Sequence, residues 1–180
     1  MNLWHDISAG KNLPKSFNVI IENPRGNKNK YEIDKEPGII KLDRPMKTAQ
    51  DFPFDYGFVP QTYWHDGDAL DVVLLSTYPL HPGVLVEARP VAVFRMIDCG
   101  DRDEKVLAVP VSDPRFDKVQ GLAQVNAHTI KEFTHFFETY KTIEEGMKVE
   151  IKKVEGKKEA MTVLREGVAL YEKKFGSKKA

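Results

Sequence analysis

The densest chemistry in the chain lies in Asp66-Gly67-Asp68-Ala69-Leu70-Asp71. Three carboxylates fall within this segment, and the apolar run Val72-Val73-Leu74-Leu75 follows directly. Asp66 and Asp68, two apart, share a face if the backbone is extended, and Asp71 stands where a strand begins. Like charges this close repel one another, and stripping their hydration inside a fold adds to the cost. A hard divalent cation relieves both problems, because it takes oxygen ligands. A solvated acidic turn is the alternative reading. An EF-hand calcium loop is excluded, since the positions that require Gly and Glu hold Asp71 and Thr77.

A second acidic cluster, Asp98-Cys99-Gly100-Asp101-Arg102-Asp103-Glu104-Lys105, follows a long apolar run. Alone it reads as a hairpin loop with charged tips. Two carboxylate clusters on adjacent strand ends, however, suit a centre that holds several metals side by side. Cations are interleaved with these acids. Lys30 shares a strand face with Glu32, Arg44 ends a strand, and Lys141 follows Tyr140. Each taken singly is an ordinary surface charge. Beside a carboxylate–metal centre they suit a highly anionic phosphate ligand, Arg through its planar fork and Lys as a point charge. The aromatic run Phe52-Pro53-Phe54-Asp55-Tyr56-Gly57-Phe58 reads mostly as core. Tyr56 is the exception, with a phenol placed to donate to a phosphate oxygen, and Gly57 permits a tight backbone turn.

The elements that must position these groups are mainly strands. Residues 17–22 and 38–43 are short apolar runs, and between them NKYEID alternates, Tyr31 and Ile33 against Lys30, Glu32 and Asp34. Glu36-Pro37-Gly38 reads as a hairpin turn. Strands are also expected at 71–76, 84–97, 105–111 and 148–154, with an edge or bulge at Pro90. Asn126 is suited to cap a helix carrying Ile130, Phe133, Phe137 and Tyr140 as one stripe. A second helix, about 157–174, sets Met161, Leu164, Val168 and Tyr171 on one side, and the tail GSKKA is expected to fray. Many short strands with few helices give an α+β class, mainly β: a five-stranded closed barrel of the OB type flanked by two helices, in one domain over 1–180.

Composition narrows the function classes. Lys+Arg and Asp+Glu both number 27, so net charge is zero, which argues against a general nucleic-acid or acidic-membrane binder. The single cysteine, Cys99, excludes an internal disulfide framework and fits a reducing compartment. No apolar run approaches the ~18 residues of a membrane span, and the polar start MNLWHDISAG lacks the middle region of a signal peptide. A cytoplasmic location is the expectation.

With these residues in view, the chain resembles the family I soluble inorganic pyrophosphatases. DGDALD is similar to the family signature, and KYEIDKEPG, DRPM, FPFDYGFVPQT, ARPVAVFRMID, DEKVLAVP and HFFETYK flank it in the family's order over about residues 10–145. The resemblance implies Mg²⁺-dependent hydrolysis of pyrophosphate, with Mn²⁺ as a possible substitute, in a homo-hexamer. It implies Asp66, Asp71 and Asp98 as ligands of the first activating metal, with Asp71 reaching a second. Asp98, Asp103 and Glu32 are similar to the carboxylates that hold metals arriving with substrate. Asp68 matches the proton acceptor for the attacking water, and Glu22 a further acid of the cavity. Lys30, Arg44, Tyr56, Lys105, Tyr140 and Lys141 match the groups that grip the two phosphates. His128 and His135 are expected at a subunit contact.

Four positions depart from the family pattern. Ala69 replaces Pro or Glu, Phe52 replaces a Tyr of the cavity rim, Asp55 stands for Asn, and Cys99 for a Glu of many bacterial members. Two rival classes remain in view: a non-catalytic OB-type module for oligonucleotides, which requires exposed aromatics in a basic groove, and a metal-binding module without turnover.

Overall fold

The computed structural model describes residues 1–144 and 148–176. The expected fraying of the tail therefore concerns residues that lie almost wholly outside those described. In chain order the elements are β1 (Phe17–Asn23), β2 (Asn29–Asp34), β3 (Ile39–Pro45), β4 (Asp55–Phe58), β5 (Asp71–Leu74), β6 (Leu85–Asp98), β7 (Asp101–Arg102), β8 (Lys105–Pro110), α1 (Ala127–Thr139), β9 (Val149–Gly156) and α2 (Lys157–Phe175).

Five strands close a ring. β1 pairs with β4, β4 with β5, β5 with β8, β8 with β6, and β6 returns to β1. Every pairing is antiparallel except β5–β8, whose register runs from Asp71↔Lys105 to Leu74↔Ala108. This ring, mostly β with two helices against it, is the expected OB-type architecture. The register of β6 on β8 slips between Pro90 and Ala92, so the proline sits at a bulge as anticipated. β9 extends the sheet along β6.

Two features depart from the sequence reading. β2 and β3 are not part of the ring; they form a separate two-stranded hairpin, none of whose strand residues is buried. β4, a ring strand, was expected only as part of an aromatic core segment, because four residues containing a glycine carry little strand signal. Gly57 is needed there for close approach rather than for a turn. A Cβ on it would lie 1.9 Å from the carbonyl oxygen of Ile20 on β1.

The ring strands are apolar on both faces, which is why they read as continuous runs rather than alternations. Val72, Leu74, Val106 and Ala108 pack with Phe17, Trp64 and the α2 residues Ala160, Val163 and Leu164. Val73, Leu107 and Val109 point the other way, to Phe54, Phe94 and the α1 residues Phe133, Phe136 and Phe137. Asn126 caps α1 by accepting from the His128 N–H at 2.8 Å. α2 buries Leu164 and Tyr171 as expected, while Met161 and Val168 are only half-buried and Ala160, Val163 and Gly167 take their share of the contact.

Candidate metal centre and active site

The parallel step in the ring builds the site. β5 and β8 begin at the same end of the sheet, and β6, antiparallel to β8, finishes there. Asp71, Lys105 and Asp98 therefore converge, although they come from distant stretches of chain. The two acidic clusters meet across adjacent strands, as expected: β5 pairs with β8, Asp71 lies in register with Lys105, and the second cluster runs from Asp98 at the end of β6 to Lys105 at the start of β8.

A cleft of about 440 Å³ opens at this end. It is lined by Glu22, Lys30, Glu32, Tyr56, Asp66, Asp68, Asp71, Asp98, Asp103, Lys105, Tyr140 and Lys141. Arg44 is the one expected site residue outside that lining. It lies beside Lys30 in the hairpin register, and its guanidinium is held by Asp43 and, at 3.6 Å, by Glu144.

Oxygen atoms of Asp66, Asp71 and Asp103 come within 4.8 Å of one another. The grouping differs from the expected trio of Asp66, Asp71 and Asp98. Asp103 completes it, whereas Asp98 turns one oxygen to the Lys141 ammonium. The other Asp98 oxygen, Oδ1, is buried and accepts no hydrogen bond from the described residues. Lys105, itself buried, bridges Asp71 and Asp103. Asp66 and Asp68 do not share an extended face. The 66–68 segment turns, with Gly67 at φ +93° and the Asp68 N–H donating to Asp66 Oδ1 at 3.1 Å. That turn sends the Asp66 carboxylate to the trio and the Asp68 carboxylate to Lys35, with which it pairs.

Electrostatics record the crowding. Loss of hydration in the cleft and then the charges of Asp71 and Asp103 push the Asp66 carboxyl up to about 7. Burial and then Asp71 push Glu22 up to about 8, against the Ile33 N–H that donates to it at 2.8 Å. Burial also raises Asp71, with Asp103 adding to the effect and Lys105 opposing it. Burial alone would lower Lys105, but Asp103 and Asp71 overcome it and hold the ammonium above its ordinary value. Tyr56 is raised well above the phenol range by burial and by the same two aspartates.

These observations suit a divalent cation. The donors are hard carboxylate oxygens, they are too close to share the cleft as bare charges, and Asp98 Oδ1 is a buried acceptor with no donor among the described residues. The phosphate-gripping candidates other than Arg44 line the same cleft. Lys30 lies 3.1 Å from both Glu32 and Asp43, and Tyr140 stacks on Phe136 at the end of α1, which fixes Lys141 beside it.

The departures acquire structural reasons. Phe52 is buried against Phe54 and Phe136 and does not reach the cavity rim. Asp55 is fully buried and accepts from Ser76 Oγ, the Arg25 N–H at 2.8 Å and the Leu80 N–H at 3.2 Å, so a carboxylate there anchors loops. Ala69 and Cys99 both line the cleft. Lys35 was missed by sequence reasoning. It lines the cleft, pairs with Asp68 and donates to the Gly67 carbonyl at 3.3 Å, contacts that its place in the sequence does not announce.

Similarity to known proteins agrees with this geometry. A family model described as inorganic pyrophosphatase matches residues 19–172. The chain belongs to the inorganic pyrophosphatase family. An inorganic pyrophosphatase of Haloferax volcanii is 43% identical over 176 residues, 97% of this chain and 99% of the relative. One from Geobacillus stearothermophilus is 41% identical over 157 residues, 87% of this chain and 94% of the relative. The crystal structure of the inorganic pyrophosphatase from Thermus thermophilus matches with a TM-score of 0.92 at 42% identity, covering 96% of this chain and 99% of that one. The oligonucleotide-module reading is not favoured, since Phe52, Phe54 and Phe58 are all buried and offer no stacking platform.

Proposed function

We propose that this chain hydrolyses inorganic pyrophosphate to two phosphates with the help of several divalent cations, Mg²⁺ first and Mn²⁺ as a substitute. The observation that carries the reading is the convergence of Asp66, Asp71, Asp103 and Lys105 in one cleft with Lys30, Tyr140 and Lys141. Asp66, Asp71 and Asp103 would hold activating metal, with Asp98 and Glu32 serving ions that arrive with substrate. Bound ions supply Lewis acidity, lowering the pKa of water from ~15.7 towards neutrality and offsetting phosphoryl charge.

The chain's own groups do the rest. Asp68, at the cleft wall and held by Lys35, accepts the proton of the attacking water. Lys30, Lys105, Tyr56, Tyr140 and Lys141 orient the two phosphoryl groups and stabilise the charge that grows on the departing one. Arg44 joins them by turning from Asp43. Glu22 is a further acidic group of the cavity, its carboxyl raised by burial and by Asp71. Six copies form the working assembly in this proposal, with the exposed His128 and His135 of α1 at a contact between them. The location is cytoplasmic, in keeping with a single cysteine; no described helix is long and apolar enough to cross a membrane.

The decisive experiment is phosphate release from pyrophosphate with Mg²⁺ or Mn²⁺; no release with either ion removes the proposal. Asp68→Asn is expected to keep fold and metal binding while kcat falls by on the order of 10² or more. A near-normal kcat would take the base role away from Asp68.

A further inference from the structure

We infer that Glu104 is a positioning residue, which from behind the cleft ties the acidic turn before β5 to the start of β8. The inference rests on the metal site proposed above and concerns what holds that site in shape. Asp103 and Lys105 line the cleft, while Glu104, between them, does not. In extended chain, neighbours point to opposite sides, so the residue between two cleft groups faces away from their ligands. Glu104 is nonetheless 4% exposed, and a buried carboxylate requires partners.

It has three. The Trp64 indole N–H donates to Glu104 Oε2 at 2.7 Å. Arg102 donates to Oε1 through Nε at 3.1 Å and Nη2 at 2.9 Å. Arg95 Nη1 reaches the same oxygen at 3.4 Å. None of these partners lines the cleft. Trp64 is the informative one. It is 1% exposed, and its backbone anchors the acidic turn, its N–H donating to the Asp68 carbonyl at 2.7 Å and its own carbonyl accepting from the Gly67 N–H at 3.1 Å. One end of the Trp64–Glu104 bond therefore holds the segment bearing Asp66, Asp68 and Asp71. The other end holds the segment bearing Asp103 and Lys105.

The guanidiniums extend the brace outward. Arg102 lies over the Trp64 ring at 5.3 Å and pairs with Glu166 of α2, while Arg95 pairs with Glu155 of β9 at 2.5 Å. A buried, charge-assisted link of this kind resists the mutual repulsion of the carboxylates it joins, and so holds an ion site open in advance of the ion.

Two variants test this. Trp64→Phe keeps a smaller aromatic ring and deletes the donor; Glu104→Gln keeps the size and removes the charge. Mn²⁺ titrated calorimetrically into substrate-free protein is expected to bind about tenfold more weakly to each variant. Amide exchange at Gly67 and Asp68 is expected to quicken in the metal-free state, with far-ultraviolet circular dichroism unchanged. The double variant is expected to resemble the worse single one, because both cut the same link. Glu155→Gln, at the outer end of the network, should leave Mn²⁺ affinity and exchange as in the wild type. Folded Trp64→Phe and Glu104→Gln proteins with wild-type Mn²⁺ affinity and exchange rates would overturn the inference; should one variant not fold, the other decides. Both readings are taken without pyrophosphate, so a wild-type chain inactive on that substrate would break the proposed function and leave the brace to be judged on them alone.

Discussion

The cleft has two walls made of the same kinds of side chain in different surroundings. Its floor, at the ends of ring strands, holds Asp71, Asp103 and Lys105; Lys105 is 4% exposed and Asp103 6%. Its other wall, the β2–β3 hairpin, carries Lys30 and Glu32, half-buried on a two-stranded element outside the ring. On the floor, low hydration makes each charge depend on its partners. On the hairpin, water screens the same pairs and leaves them adjustable. Under the proposed function, fixed metal ligands below and adjustable cations above would let the site keep its ions while admitting and releasing an anion.

The sharpest way to break this contrast is to remove one lysine from each wall. Lys105→Met is expected to destabilise the metal-free protein by on the order of 3 kcal/mol, since it leaves buried carboxylates unpaired. Lys30→Met should cost less than about 1 kcal/mol. Urea unfolding checks both, and equal losses would erase the distinction. Next in size, Asp71→Ala should raise the Mg²⁺ concentration needed for half-activation by about tenfold or more, and Glu32→Ala by clearly less. Titration of activity with Mg²⁺ measures this, and unchanged activation in Asp71→Ala would contradict its place among the ligands.

The smallest effect is the dependence of stability on pH. Glu22 and Asp66 titrate near 8 and 7 in the folded state, above the ordinary 4.5 and 3.8. Raised carboxyls keep protons in the folded chain that the unfolded chain has released. Their contribution is therefore full below about pH 4 and is lost as pH rises towards 8. Metal-free protein should unfold at a lower temperature at pH 8.5 than at pH 5.5, and saturating Mg²⁺ should flatten that slope. A metal-free stability that rises across this interval would show that the floor carboxyls are not crowded.

Much of this was legible in the sequence, and the exceptions share a cause. The acidic turn, the helix cap at Asn126 and the bulge at Pro90 are local signals, written in a few neighbouring residues. The membership of the Asp66–Asp71–Asp103 trio is not local. It follows from a parallel pairing between β5 and β8 that no periodicity encodes. β4 was hidden by its brevity and by Gly57, whose necessity becomes visible only with Ile20 packed against it. Arg44 and Lys35 could not be ranked among the hairpin cations, because sequence gives their charge but not their partners. Asp55 and Phe52 gained their reasons only when the fold showed them buried.

The parallel pairing of β5 with β8 also governs when the site can exist. The two residues that meet in it, Asp71 and Lys105, are 34 positions apart, and ring closure waits for β8, the last ring strand in the chain, to enter between β5 and β6. During synthesis the acidic turn leaves the ribosome well before Asp103 does, so the nascent chain carries carboxylates with no pocket to gather them. Ion capture in this chain thus begins with ring closure, and a peptide copy of DGDALD would be a poor chelator.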